Sequence, residues 1–250
     1  VSQIAAYFQE VAGNIEALQA DADLQALSRI WVREITRYKY AYNFTWMGRP
    51  IIQFPQDMMA MQEILWTVRP DVVIETGVAH GGSILYYASL LELFGKPDAC
   101  VIGVDIEIRP HNREAIEKHP MAHRVKLIEG SSIHPDTLQA VYEALPKPPD
   151  QINAVIVLDS NHTHEHVLEE LRLYSSLVKK DSYIVVFDTI IEDMPEDIIR
   201  SWNRPWQKGN NPKTAVHAFL AENNRFTIDK ALESKLLITV GPDGYLKCIH

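Results

Sequence analysis

Five short runs rich in β-branched and other apolar residues, DVVIETG, CVIGVDI, RVKLIEG, INAVIVLDS and SYIVVFDT, lie between Asp71 and Thr189, with helix-like segments between them. Each is too short for a helix and nearly continuous in apolar character, which suits a strand buried on both faces of a parallel sheet. A parallel neighbour is reached only through a crossover, so strand alternating with helix implies right-handed βαβ units. The expected core is an α/β fold with a doubly wound, mostly parallel sheet.

The flanks break that rhythm. Residues 1 to about 46 carry apolar side chains at helical spacing, first Ile4, Tyr7, Phe8 and Val11, then Ile30, Trp31, Ile35 and Tyr38. An N-terminal helical appendage over 1–50 and a main domain over 51–250 are expected. The aromatic cluster YKYAYNFTWMGRPIIQFP is read as packing that leads to a helix over Gln56 to Thr67, stopped at Arg69-Pro70. Near the end, RFTIDKAL is strand-like, and LLITV and YLKCI are joined by the turn sequence GPDG. These predict antiparallel strands, an edge hairpin, at the C-terminal side of the sheet.

With 33 acidic against 24 basic residues the chain carries a formal charge of −9, which repels a polyphosphate backbone and argues against nucleic-acid partners. Cys100 and Cys248 show no CxxC spacing, so neither a disulfide framework nor a zinc cluster is expected, and a cytoplasmic setting is. No apolar run approaches the roughly 20 residues of a membrane span.

Open parallel sheets bind ligands beyond the carboxyl ends of their strands, near the point where strand order reverses. Those ends are polar here. The first run leads into Glu75, Gly77, Gly81, Gly82 and Ser83, the second ends at Asp105, and the third at Glu129, Gly130, Ser131 and Ser132. The fourth ends at Asp159, Ser160, Asn161 and His162, and the fifth at Asp188 and Thr189. The turn ETGVAHGGS lacks both the Gly-Lys-Ser/Thr of a P-loop and the spacing G-x-G-x-x-G. Asp105 suits ribose hydroxyls, the alternative being a cap on the following helix.

The pattern E-x-G-x-x-x-G-x-S, with Asp105 behind it, resembles motif I of class I S-adenosylmethionine-dependent methyltransferases, whose fold is Rossmann-like. The resemblance implies that Gly77 and Gly82 pass close to the amino-acid part of S-adenosyl-L-methionine, with Glu75 and Ser83 helping to hold it. It also implies that Asp105 binds the ribose, that Gly130, Ser131 and Ser132 flank the adenine, and that Ile106 and Asp159 complete the cofactor site.

The segments VLDSNHTHEHVLEEL, SYIVVFDT and RPWQKGNNPKTAV extend the match. From about Ile51 to His250 the chain resembles the group known as cephalosporin hydroxylases, which is similar to macrolide sugar O-methyltransferases and rhamnosyl O-methyltransferases. That resemblance implies magnesium at Asp159 and Asp188 and a general base at His162. Many relatives carry Glu-Asp where this chain has Phe187-Asp188, so the need for metal stays open, with His162, His164 and Glu192 as candidate replacement ligands. His164 and His166 are expected to be structural, on a helix capped by Thr163.

The segment SWNRPWQKGNNPKTAV has the composition of an ordered loop closing over a ligand. Trp202 or Trp206 can stack on a sugar, and Asn210 and Asn211 can bond its hydroxyls; the alternative is a packed loop in which Pro212 starts a helix. Lys208 and Lys213 suit a phosphate-bearing acceptor. The expected function is methylation of a sugar hydroxyl on a nucleotide-linked, glycosylated or polysaccharide-precursor small molecule. N-methylation of an amino sugar, a non-catalytic relic of a cofactor site, and an iron-dependent hydroxylase are the alternatives. The aromatic N-terminal helices are expected to join copies into a homo-oligomer.

Overall fold

The computed structural model describes residues 2–250. Helix α1 (Gln3–Ala20) is capped by Ser2 and α2 (Ala22–Thr36) by Asp21, whose side chains accept from the Ala5 and Leu24 N–H groups. The helical stretch ends earlier than its spacing suggests. After a 3₁₀ turn at Tyr40–Asn43, strands β1 (Phe44–Trp46) and β2 (Arg49–Ile51) pair antiparallel. Met47 and Gly48, both at positive φ, turn the chain between them. The Trp46 indole donates to Ser89 Oγ at 3.0 Å and its ring meets Tyr86 edge-on, so tertiary packing selects a hairpin here. Helix α3 (Pro55–Val68) opens on proline and closes where Arg69 adopts a left-handed conformation.

From there strand and helix alternate: β3 (Val72–Thr76), α4 (Gly82–Leu93), β4 (Cys100–Asp105), α5 (Pro110–Glu117), β5 (Val125–Glu129), α6 (Pro135–Ala144), β6 (Ala154–Leu158), α7 (His164–Tyr174) and β7 (Tyr183–Val186). Helices α8 (Glu196–Ser201) and α9 (Pro212–Glu222), strand β8 (Phe226–Ile228), helix α10 (Lys230–Leu236) and strand β9 (Tyr245–Cys248) complete the chain. The sheet order is β5-β4-β3-β6-β7-β9-β8, with the first five strands parallel. Successive side chains of a strand face opposite ways, so Val73 and Val155 join a core with α3 and α4. Val72, Ile74 and Ile156 join the other core, with α7 and α9.

The antiparallel edge is present, with β9 between β7 and β8. Its hairpin arms are RFTI and YLKC rather than LLITV and YLKCI. Around Leu236–Val240 the chain leaves α10 and is diverted: the Val240 N–H and Thr239 hydroxyl donate to the buried carboxylate of Asp57 on α3, as does Tyr245 OH. The GPDG turn then returns the chain into β9, with Gly244 N–H donating to Gly241 C=O at 2.9 Å. No described helix is long and apolar enough to cross a membrane.

Candidate active site

Strand order reverses between β3 and β6, and there the backbone runs close. Gly77 has φ +96°, and a Cβ placed on it would lie 2.1 Å from the Asp159 carbonyl oxygen. A Cβ on Gly82 would lie 2.1 Å from the Pro50 carbonyl oxygen. Both glycines are therefore required by contact between parts of the chain itself, Gly77 with the end of β6 and Gly82 with the β1–β2 hairpin. Both also line the cleft.

Asp105 holds the glycine-rich turn. Its Oδ2 accepts from Val78 N–H at 2.8 Å and Ala79 N–H at 3.2 Å, and its Oδ1 from Glu107 N–H at 3.1 Å. Asn112 donates to the Ala79 carbonyl, and Arg49 to the His80 carbonyl and to Asn112 Oδ1. Beneath the turn Glu75 is wholly buried, and burial, then the Asp105 charge, pushes its carboxyl up to about 8 against the bond from Ser83 Oγ at 2.7 Å. Glu75 Oε1 has no protein partner. Glu75 itself does not line the cleft; Ser83, which bonds to it, does.

A cleft of about 1030 Å³ runs along the carboxyl ends of the strands, at the upper end of ordinary ligand sites. Ile106, an exposed apolar side chain, shares it with Gly130, Ser131 and Ser132. Asp159, His162 and Asp188 also line it, with one ligand atom from each within 4.8 Å of the others. His162 Nε2 lies 3.1 Å from Asp188 Oδ2, and its ring meets the edge of Trp206 at 4.7 Å. Asp188 reaches this place through a left-handed backbone turn at φ +56°. Asp159 holds its proton well above the usual carboxylate range, chiefly through desolvation, then through the charges of Asp188, Glu75 and Glu170. Carboxylates so crowded fit a divalent cation, which would relieve their repulsion.

Phe187, where a second carboxylate was expected, is buried and packs toward Tyr245. Of the three candidate replacements only His162 joins the cluster. His164 Nδ1 meets Thr214 Oγ1 at 2.8 Å, and Glu192 accepts from Gly209 N–H and Asn211 Nδ2. His166 contacts Ser132, Ser160 and Glu170.

Two expected acceptor-binding residues are used elsewhere. Asn211 is fully buried as the N-cap of α9, its Oδ1 accepting from Lys213 and Thr214 N–H and its amide donating to Glu192 and Gln207. Asn210 accepts from His164 N–H and donates to Pro205 C=O. Neither lines the cleft; together they tie the loop to α7 and α9, and Trp202 and Trp206 are what the loop presents. Lys213 pairs with Asp193 at 2.6 Å and Lys208 lies outside the cleft, so neither is placed for an acceptor phosphate.

The sequence reading also missed residues that line the cleft. Tyr42 is one, its hydroxyl raised by burial and by Asp188 and Asp159, with Arg204 opposing. Arg204, 5.5 Å above the Trp206 ring, is another. The aromatic cluster YKYAYNF was the available signal for Tyr42, and the tryptophan-bearing loop SWNRPWQKG the one for Arg204.

The sequence model of the family described as Rhamnosyl O-methyltransferase/CmcI matches residues 38–249. A rhamnosyl O-methyltransferase of Mycobacterium bovis is 32% identical over 206 residues, covering 81% of this chain and 77% of the relative. One of Mycobacterium leprae is 30% identical over 203 residues, covering 81% and 82%. Among solved structures, CmcI with magnesium and S-adenosylmethionine superposes with a TM-score of 0.56 at 18% identity, covering 84% of this chain and 78% of that one, a likeness of fold. A doubly wound sheet, a glycine turn in place of a phosphate cradle and a match over most of the chain lead to one conclusion: this chain belongs to the rhamnosyl O-methyltransferase/CmcI family.

Proposed function

We propose that this enzyme transfers the methyl group of S-adenosylmethionine to a sugar hydroxyl on a nucleotide-linked, glycosylated or polysaccharide-precursor small molecule. The observation that carries the reading is the meeting of Asp159, His162 and Asp188 in the cleft. The name borne by the mycobacterial relatives supports a sugar as acceptor.

Gly77, Gly82 and Ser83 would hold the amino-acid part of the cofactor, Asp105 its ribose, and Ile106 and Ser131 its base. A sulfonium methyl needs little activation, so the chain's task is alignment and removal of the hydroxyl proton. An imidazole that donates Nε2–H to Asp188 leaves the lone pair of His162 Nδ1 to take that proton. Asp188 fixes this tautomer and steadies the imidazolium that forms. Trp206, edge-on to His162, offers its face to the sugar. Asp159 and Asp188 would hold magnesium, which suits an oxygen donor set and lowers the pKa of a bound hydroxyl.

Helix α1 buries none of its residues and exposes Ile4, Tyr7 and Phe8, which supports pairing of copies through the N-terminal helices. The two buried, unpaired cysteines suit the cytoplasm. His162→Ala tests the central assignment: turnover should fall by about 10²–10⁴ while affinity for S-adenosylhomocysteine stays. Turnover within a factor of two of the parent would remove His162 as the base.

A further inference from the structure

Behind the cleft, where Ser132 and Ser160 line it, lies a polar cluster that the methyl-transfer chemistry leaves unused. Glu170 of α7 is wholly buried. Its Oε1 accepts from Ser132 Oγ at 2.5 Å and from Ser160 Oγ at 2.7 Å, and its Oε2 has no protein partner. His166, one turn earlier on the same helix, places Nε2 3.0 Å from Ser132 Oγ and 3.4 Å from both Ser160 Oγ and Glu170 Oε1. The two serines come from the ends of β5 and β6, on opposite sides of β3, and both line the cleft, as does His166.

The hydrogen-bond inventory fixes what the cleft meets. A carboxylate only accepts, so the protons of both hydroxyls are committed to Glu170. With those protons spent, His166 Nε2 acts as the donor to Ser132. What remains for the cleft is a pair of hydroxyl lone pairs, made more basic by the carboxylate behind them. Two acceptors backed by a buried carboxylate match a primary amino group on a flat ring and oppose a carbonyl at the same position.

We infer that Glu170, acting through Ser132 and Ser160, sets the specificity of the cofactor site for a 6-aminopurine over a 6-oxopurine. This deepens the cofactor placement above and rests on it. With ribose at Asp105, the base falls beside the apolar face of Ile106, against the loop that carries Ser131 and Ser132. Glu170 touches no ligand and is a positioning residue. Its signature is a change in discrimination between two ligands, where a merely structural role would weaken both alike.

The test is calorimetric titration of the full chain with S-adenosylhomocysteine and with its 6-oxo analogue, S-inosylhomocysteine, for the parent, Glu170→Gln and Ser160→Ala. The parent should favour the amino ligand by about tenfold or more. In Glu170→Gln the carboxamide donates to the hydroxyls and frees their protons, and the preference should shrink to within about threefold or invert. Ser160→Ala should fall between, and decides the matter if Glu170→Gln does not fold, as judged by its circular dichroism melt. A parent preference near unity would overturn the inference, as would variants that weaken both ligands in equal proportion. A parent that binds neither ligand would instead remove the cofactor placement on which the inference rests.

Discussion

Replacing Gly77 by alanine tests the closest approach in the site. At φ +96° an L-residue is strained, at a cost of about 1–2 kcal/mol. The added Cβ would also lie 2.1 Å from the Asp159 carbonyl oxygen and 2.7 Å from its carbon, where ordinary contact begins at 3.4 Å. The ends of β3 and β6 must therefore part by roughly 1 Å, and overpacking of that kind costs about 1–3 kcal/mol. The combined loss is about 2–5 kcal/mol, and the displaced end of β6 shifts Asp159 out of its present place beside Asp188. Gly209 separates the two effects: its φ is +77° but nothing lies within 4 Å of its built Cβ, so Gly209→Ala should lose only the backbone share, about 1–2 kcal/mol. Urea unfolding of the parent and both variants reads the difference, and titration with S-adenosylhomocysteine reads the damage to the cleft. If Gly77→Ala is no less stable than Gly209→Ala, the close packing of β3 on β6 is not what requires glycine.

Three further outcomes follow from the same geometry. Asn211→Ala removes the cap of α9 and should cost about 1–2 kcal/mol in urea unfolding, with affinity for S-adenosylhomocysteine unchanged; a weakened affinity would return Asn211 to the cleft. Asp105→Asn should weaken S-adenosylhomocysteine by about tenfold or more in a calorimetric titration, because one carboxylate holds the turn and faces the ribose; parent affinity would refute the assignment. Asp57 gives a pH dependence, since burial lifts its carboxyl from 3.8 to about 6 in the folded chain against the bonds from Thr239, Tyr245 and Val240. Between those values the folded state keeps a proton that the unfolded state releases. Its contribution is thus full below about pH 4 and lost as the pH rises to about 6, a difference on the order of 3 kcal/mol. Urea midpoints of Asp57→Asn should lack that component of the parent's pH dependence, and identical profiles would contradict it.

The parallel strands were legible because burial on both faces leaves a continuous apolar run, and their ends were legible because a ligand site there needs polar groups. Asp159, His162 and Asp188 were named from the sequence and meet in space. LLITV misled because the choice between strand and loop lies with Asp57, about 180 residues earlier, whose carboxylate captures Thr239 and Val240. Asn211 misled for a different reason: asparagine before proline with threonine three places on is a cap signal in plain view, and the loop composition outweighed it. Gly77 and Gly82 line the cleft, and each also meets a carbonyl, of Asp159 and of Pro50, a tertiary contact that the motif does not carry. Tyr42, from the N-terminal segment, and Arg204, from the loop between α8 and α9, join the site only through tertiary folding.

The most direct measurement supplies S-adenosylmethionine with a ¹³C-labelled methyl group, with rhamnosides and nucleotide-linked sugars as acceptors, and follows the label by NMR in the parent and in His162→Ala. The account predicts a methoxy resonance on a sugar carbon with the parent, strongly reduced in His162→Ala although that variant still binds S-adenosylhomocysteine. Label on nitrogen, or transfer to oxygen that His162→Ala leaves undiminished, would contradict it.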